Sequence, residues 1–259
     1  MPRKLGPLAI LGIVRELRRG SGDQRPIAVA GARELVPLLA RELRAGGDPS
    51  AVVEGRIDGA AVVVWVGPPD EEPLRSADRA GTPVVAVSNE EQVPYVLATD
   101  VVQVPPGQGF PVDRIAQAIA RKLGEDGTAL AARLPVLRPP VCDELIRSFA
   151  KKNALISAAV FVPGVDMPVL TLNQIRLVLR IALAYGQEID KQRALELIGV
   201  VGAGFGLRTV ARELLDLVPV AGWALKGVVA YAGTRALGEA AVRYFEARTA
   251  ATPAASSPR

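Results

Sequence analysis

Residues Ala60–Val66 (AAVVVWV) form an unbroken apolar run that is closed by Gly67, Pro68 and Pro69. A strand with one wet face alternates apolar and polar residues, whereas an uninterrupted β-branched run belongs to a strand covered on both faces. Such coverage is the habit of parallel sheets in α/β folds. Shorter runs of the same kind occur at Pro26–Ala30, Pro83–Val87 and Val101–Val104, and Val52–Val53 is a candidate edge strand. Helical patterns at Leu35–Ala45, Glu71–Ala80 and Val112–Leu123 separate them. The alternation predicts an α/β, Rossmann-like parallel sheet over residues 26–135, with helices on both faces. Ligands of such sheets bind at the carboxyl ends of the strands, here the loops around Gly31, Gly67, Asn89 and Gly107.

Beyond the proline-rich break Leu134–Val141 (LPVLRPPV) the pattern becomes wholly helical, which predicts an all-α domain over 140–248. Helices are expected at Asp143–Val160, from about Thr171 to Gly186, at Asp190–Gly199, and in two Gly- and Ala-rich stretches that follow. Thr171 and Gln174 have capping-box spacing. The tail, residues 249–259 (TAATPAASSPR), is expected to be disordered.

Composition removes whole classes of chemistry. Histidine is absent, which excludes a Ser-His-Asp or Cys-His nucleophile and any His-ligated metal. Cys142 is the only cysteine, so no intrachain disulfide or thiolate cluster can form, and its acidic neighbours Asp143 and Glu144 suit a buried filler better than a reactive thiol. No metal and no cofactor are expected. The formal charge of +4 belongs to a leader: residues 1–25 carry six basic and two acidic groups, and the rest of the chain holds 25 of each sign. A body with balanced charge and 4% aromatic residues offers neither a basic face nor stacking platforms, so no nucleic-acid partner is expected.

Within the leader, Leu5, Leu8, Leu11 and Leu17 fall near one helical face, widened by Ile10, Ile13 and Val14. The apolar run meets Arg15 and Glu16 too early for a secretory signal, so the protein is not expected to be secreted. Two readings stay open: a basic amphipathic helix on an anionic membrane surface, or a helix packed on the rest of the protein. Neither Asn153–Ile175, broken by Pro163, Gly164 and Pro168, nor Leu217–Thr234, with Pro219, Gly222 and Lys226, is a clean membrane span of about 20 apolar residues.

The order of elements over residues 26–123 resembles the core of the Era-like GTPases. RPIAVAG is similar to the strand entering the phosphate loop, GTPVVAVSNEE to the strand and loop that read guanine, and TDVVQVPPGQGFPVDRIAQAI to the last strand and helix. The motifs themselves have decayed. If Gly31 is the first glycine of the phosphate loop, its later Gly, Lys and Ser positions fall on Val36, Pro37 and Leu38, and Glu34 adds a carboxylate where phosphate would lie. Asn89 survives from the guanine-reading motif, but Glu90 and Gln92 replace its Lys and Asp. The strand pair carrying the switch segments is missing or reduced to Val52–Gly55. The resemblance implies a degenerate P-loop GTPase-like domain, a pseudo-GTPase, with Gly31, Asn89, Gly107 and Gly109 as vestigial binding positions.

The stretch from PGVDMPVLTLNQIRLVLRIALAYGQEID to the glycine-rich pair GAGFGLRTVARELLDL and PVAGWALKGVVAYAGTRALGEAAVRYFE resembles the helical domain of YcjF-type proteins, found carboxyl-terminal to Era-like GTPase domains. That resemblance implies a bacterial protein at the inner membrane, acting as a regulator with a protein partner or as a homo-oligomer. Asp166, Arg176 and Arg180 form the one polar constellation in this half: a helix-cap carboxylate beside two solvated or locally paired arginines, or Asp166 paired with an arginine of the stripe, or groups that receive a partner's charges. The function expected is a non-catalytic scaffold or regulator. One alternative is a small-molecule or nucleotide sensor, or weak enzyme, using the strand-end loops of the α/β domain; a deep pocket with Asn89 and Arg33 pointing inward would favour it. Another is a soluble oligomeric scaffold.

Overall fold

The structure, a computed structural model, describes residues 7–105, 107–159, 167–190, 192, 194, 196, 197, 199 and 223–251. The chain forms two compact units: residues 22–144, and residues 1–21 together with 145–259. The first helix, α1 (Pro7–Ser21), therefore belongs to the second unit, and the expected leader is not a separate element.

The α/β unit runs β1 (Ile27–Gly31), α2 (Val36–Arg44), β2 (Val52–Glu54), β3 (Val62–Val66), α3 (Glu71–Arg79), β4 (Val84–Ser88), β5 (Val101–Gln103) and α4 (Val112–Leu123). The strands form a five-stranded, wholly parallel sheet in the order β2-β1-β3-β4-β5, a common doubly wound arrangement. Every residue of β3 is buried, as its unbroken apolar run requires.

Period-2 alternation sorts the side chains between two layers. Ala28, Ala30, Val63, Trp65 and Ala86 share one apolar cluster with Leu74 and Ala77 of α3. Ile27, Val29, Val62, Val64 and Val85 are buried on the other face, where α2 packs on β1 and α4 on β4 and β5. The short edge strand β2 is shielded on its backbone: Arg44 donates Nε and Nη2 to the Val52 carbonyl and Nη1 to Glu54. Such occupation of an edge acceptor discourages strand addition.

Around the proline-rich segment the helices differ from expectation. A short helix, α5 (Thr128–Arg133), precedes the proline-rich segment, and α6 (Arg138–Ala159) starts within it rather than at Asp143. Pro139 and Pro140 lie in the first turn of α6, where backbone N–H groups have no intrahelical acceptor, so the prolines begin the helix instead of delaying it. The two units divide within α6, between Glu144 and Leu145, not at the break near 135–140. Arg133 of α5 is a tie within the α/β unit, donating to the Asp48 carboxylate at 2.9 Å, to Ser50 Oγ and to the Gln24 carbonyl.

The helical unit adds α7 (Met167–Ala184) and α8 (Trp223–Ala251), and residues 192, 194, 196, 197 and 199 are also helical. Pro168 sits in the first turn of α7, so Thr171 lies inside the helix and the expected capping box does not form. Gly186 ends α7 as expected, with φ of 72° and the Gln187 N–H returning to the Ala182 carbonyl. Thr249–Ala251 continue α8, so the expected disordered tail is shorter at its start; residues 252–259 lie outside the described ones.

Packing of this unit combines apolar faces with one buried polar network. Leu145, Phe149, Leu177, Ile181, Leu237 and Phe245 are buried, and Tyr185 stacks on Phe245 with centroids 5.9 Å apart. Fully buried Asn153 donates to Thr234 Oγ1 and accepts from Asn173 Nδ2, both at 2.9 Å, linking α6, α7 and α8. Each of these atoms would otherwise be desolvated without a partner. Cys142 is buried, as expected of a filler. No helix among the described residues is long and apolar enough to cross a membrane. The candidate span Asn153–Ile175 is divided between α6 and α7, while residues 217–222 of the other candidate lie outside the described ones.

Candidate functional site

In a doubly wound sheet the ligand crevice opens where the strand order reverses, here between β1 and β3. At the ends of these two strands backbone meets backbone. Gly31 ends β1 with φ of 122°, and a Cβ placed on it would lie 2.1 Å from the Val66 carbonyl oxygen. The next residue, Ala32, donates its N–H to the same oxygen at 2.8 Å.

The turn from β1 to α2 is short, and three of its N–H groups are bonded within the fold. Leu35 and Val36 both donate to the Ala32 carbonyl, at 2.9 and 3.0 Å, while Pro37 has no N–H. A phosphate cradle needs several convergent free N–H groups at a helix N-terminus. With Ala32, Leu35 and Val36 bonded internally and Pro37 lacking an N–H, these four positions offer no donor to a phosphate.

The open site lies further along the same strand ends. A groove of about 680 Å³ is floored by Val66, Val87 and Val104, the residues ending or following β3, β4 and β5. Leu35 and Leu38 of the α2 side and Phe110 before α4 wall it, and Leu38 is 45% exposed. Its volume falls within the roughly 300–1,000 Å³ of ordinary ligand and peptide clefts.

Sequence reasoning singled out Gly31, Asn89, Gly107 and Gly109. The groove brings three of them together: Asn89 after β4, with Gly107 and Gly109 in the loop before α4. Gly31 is absent from it and borders a separate cavity with Arg33, Pro37 and Trp65. Arg33 and Asn89 therefore line different cavities, so the single pocket holding both that would favour the sensor reading is not seen among the described residues.

Local chemistry explains why Asn89 is available. Ser88 is buried and its Oγ accepts the Glu90 N–H at 3.2 Å, while its carbonyl accepts the Val104 N–H at 3.0 Å. These bonds turn the chain outward at the strand end and leave the exposed Asn89 amide without a partner among the described residues. Gln108 is exposed on the opposite loop, its own N–H bonded to the Pro105 carbonyl. The one cation lining the groove, Arg41, lies 3.5 Å from Glu42.

The second constellation separates. Asp166 lies outside the described residues. Arg176 pairs with Glu16 of α1 at 3.3 Å, a contact made across most of the chain length, and Arg180 is half-buried on the same stripe of α7. Arg18 of α1 also donates to the Ile189 carbonyl at 2.9 Å, and Ile13, Val14 and Leu17 are buried where α1 meets α7. Of the two readings left open for the leader, packing on the protein is the one these contacts support. Among the described residues no group of acidic or sulfur side chains is arranged to hold a metal ion.

Residues 128–256 match the family described as domain of unknown function DUF697. The match begins at the first residue of α5, ahead of the expected boundary at 140, and it supports a helical C-terminal domain. No curated protein and no solved structure matches the chain.

Proposed function

We propose that this chain is a non-catalytic regulatory or scaffold protein whose α/β unit is a pseudo-GTPase, a GTPase-like sheet that no longer binds nucleotide. The observation that carries this reading is the β1–α2 turn. Its N–H groups at Ala32, Leu35 and Val36 are bonded internally, Pro37 and Leu38 stand where a phosphate-binding Lys and a Mg²⁺-binding Ser would be needed, and Glu34 adds like charge. The doubly wound strand order and the single short β2 between α2 and β3 agree with a GTPase-like sheet stripped of its switch strands.

Calorimetric titration of the full chain with Mg·GTP tests the reading. No saturable heat is expected up to about 1 mM ligand, the affinity range in which a few non-specific contacts operate. Micromolar binding would overturn it. A place at a bacterial inner membrane is supported by the YcjF-type resemblance and by the exposed Arg15 of α1. Cell fractionation reads that part separately: recovery with membranes at low salt is expected, and purely cytosolic recovery would remove it.

A further inference from the structure

We infer that the end of the helical unit where α6 stops and α7 and α8 start enters the headgroup region of an anionic lipid bilayer. Leu155, Val169 and Val228 reach the acyl boundary, and Lys151 and Lys152 meet lipid phosphate. The inference rests on the membrane location proposed above, and it names a contact surface other than the exposed Arg15 of α1.

Helix register defines this end. Asn153 of α6, Asn173 of α7 and Thr234 of α8 share one hydrogen-bonded layer. On one side of the layer, a Cβ at Gly238 of α8 would meet Ile146 of α6 and Leu177 of α7. On the other side, a Cβ at Gly227 would lie 3.2 Å from the Ala154 carbonyl oxygen and 3.6 Å from Ala158 Cβ. Residues 154–159 of α6, 167–172 of α7 and 223–233 of α8 therefore lie beyond the layer at one end.

All three helices turn a large apolar side chain to solvent there: Leu155 is 70% exposed, Val169 45% and Val228 62%. Among the described residues of the helical unit, every exposed large hydrophobic lies at this end. Moving these side chains from water into an acyl boundary gains the transfer free energy of apolar surface.

Charge divides at the same layer. Residues 154–159, 167–172 and 223–233 hold one charged residue, Lys226, and no carboxylate. Lys151 and Lys152 are exposed on the turn of α6 just before Leu155, and Lys151 has no ion-pair partner among the described residues. Carboxylates stand on the far side: Glu239 and Glu246 of α8, and Glu16, the partner of Arg176. From Lys152 to the end of α6 at Ala159 the helix rises about 10 Å. Interfacial elements bury apolar groups to that depth while lysines reach back to the headgroups. A fluid lipid surface asks for apolar tips with cations one turn behind them and for no groove of matching shape. Anionic lipid then adds attraction for each lysine near its surface.

The test floats the full chain with vesicles of phosphatidylcholine alone or mixed equally with phosphatidylglycerol. The paired substitution Leu155→Ser and Val228→Ser removes two of the apolar tips, and Lys151→Glu with Lys152→Glu reverses the cations. Both pairs change exposed side chains, where substitutions leave the fold intact. A second readout uses Leu155→Cys carrying a polarity-sensitive fluorophore, with the same label on Leu97→Cys of the α/β unit as a control; Leu97 is equally exposed, and the native Cys142 is buried.

Saturable binding to the phosphatidylglycerol vesicles is expected, about tenfold weaker for either paired substitution and for phosphatidylcholine alone. The label at position 155 should shift to the blue on those vesicles and the label at position 97 should not. Binding indifferent to both paired substitutions, or no shift at position 155, would overturn the inference. So would self-association in sedimentation that Leu155→Ser with Val228→Ser abolishes, since a second copy would then cover these side chains. Binding that Arg15→Glu removes and Leu155→Ser with Val228→Ser leaves unchanged would place the contact on α1, sinking the inference and keeping the membrane location. Cell fractionation reads that location by itself, so the two failures are distinguishable.

Discussion

At Gly31 the α/β unit brings backbone against backbone; at Gly238 the helical unit brings one helix against another. A Cβ on Gly31 would meet the Val66 carbonyl oxygen at 2.1 Å, whereas one on Gly238 would meet Ile146 Cγ1 at 2.5 Å. Gly31 also holds φ of 122°, a conformation other residues avoid, while Gly238 has an ordinary helical backbone. The first contact involves rigid partners on both sides, and the second has a side chain that can yield. The difference bears on local structure as well as stability, because the contact at Gly31 sets the start of the β1–α2 turn, where Ala32 bonds the same Val66 carbonyl.

One added methyl group at each position separates the rigid contact from the yielding one. Gly31→Ala should destabilise the α/β unit by on the order of 4 kcal/mol, from backbone strain and overpacking together. Urea unfolding of the full chain, with hydrogen exchange to locate the loss, checks it; a loss under about 1 kcal/mol would mean that β1 and β3 can separate easily. Gly238→Ala should cost less, about 1–2 kcal/mol, because overpacking against Ile146 is partly offset by the better helix propensity of alanine. Its exchange footprint should fall on α6, α7 and α8 and leave the sheet protected.

The smallest effect concerns a tie that is electrostatic. Asp48 accepts from Ser50 and from Arg133, and these bonds lower its carboxyl from the usual 3.8 to about 2. A depressed carboxyl contributes stability that is present above its unfolded value and is lost as pH falls through its folded value. Wild-type stability should therefore carry a component that fades between about pH 4 and pH 2, and Asp48→Asn should lack that component across the same window. Thermal melts of both proteins over that range would sharpen the comparison by showing whether this exposed tie matters beside the packed glycines.

Much of the fold could be read from local pattern. β3 follows from AAVVVWV, α4 has the bounds that its amphipathic spacing indicates, and even the short β2 is foreshadowed by Val52–Val53. The misses have local causes that pattern alone does not resolve. Pro139 and Pro140 look like a break but occupy a helix's first turn, and Thr171 has the spacing of a cap inside a helix that had already begun at Met167. The altered β1–α2 turn was half visible: the sequence lacks a phosphate loop, but nothing in it tells that Ala32 would spend its N–H on Val66.

The chain's order of residues by itself determined the parallel sheet, the change to helices, and the absence of histidine and paired cysteine chemistry, because periodicity and composition report which residues must leave water. Only the tertiary structure decided which distant residues meet. Glu16 reaches Arg176, Asp48 reaches Arg133, and Val66, Asn89 and Gly109 gather around one groove. Those meetings depend on strand order and helix docking, which set contacts between segments that carry no local signal of each other.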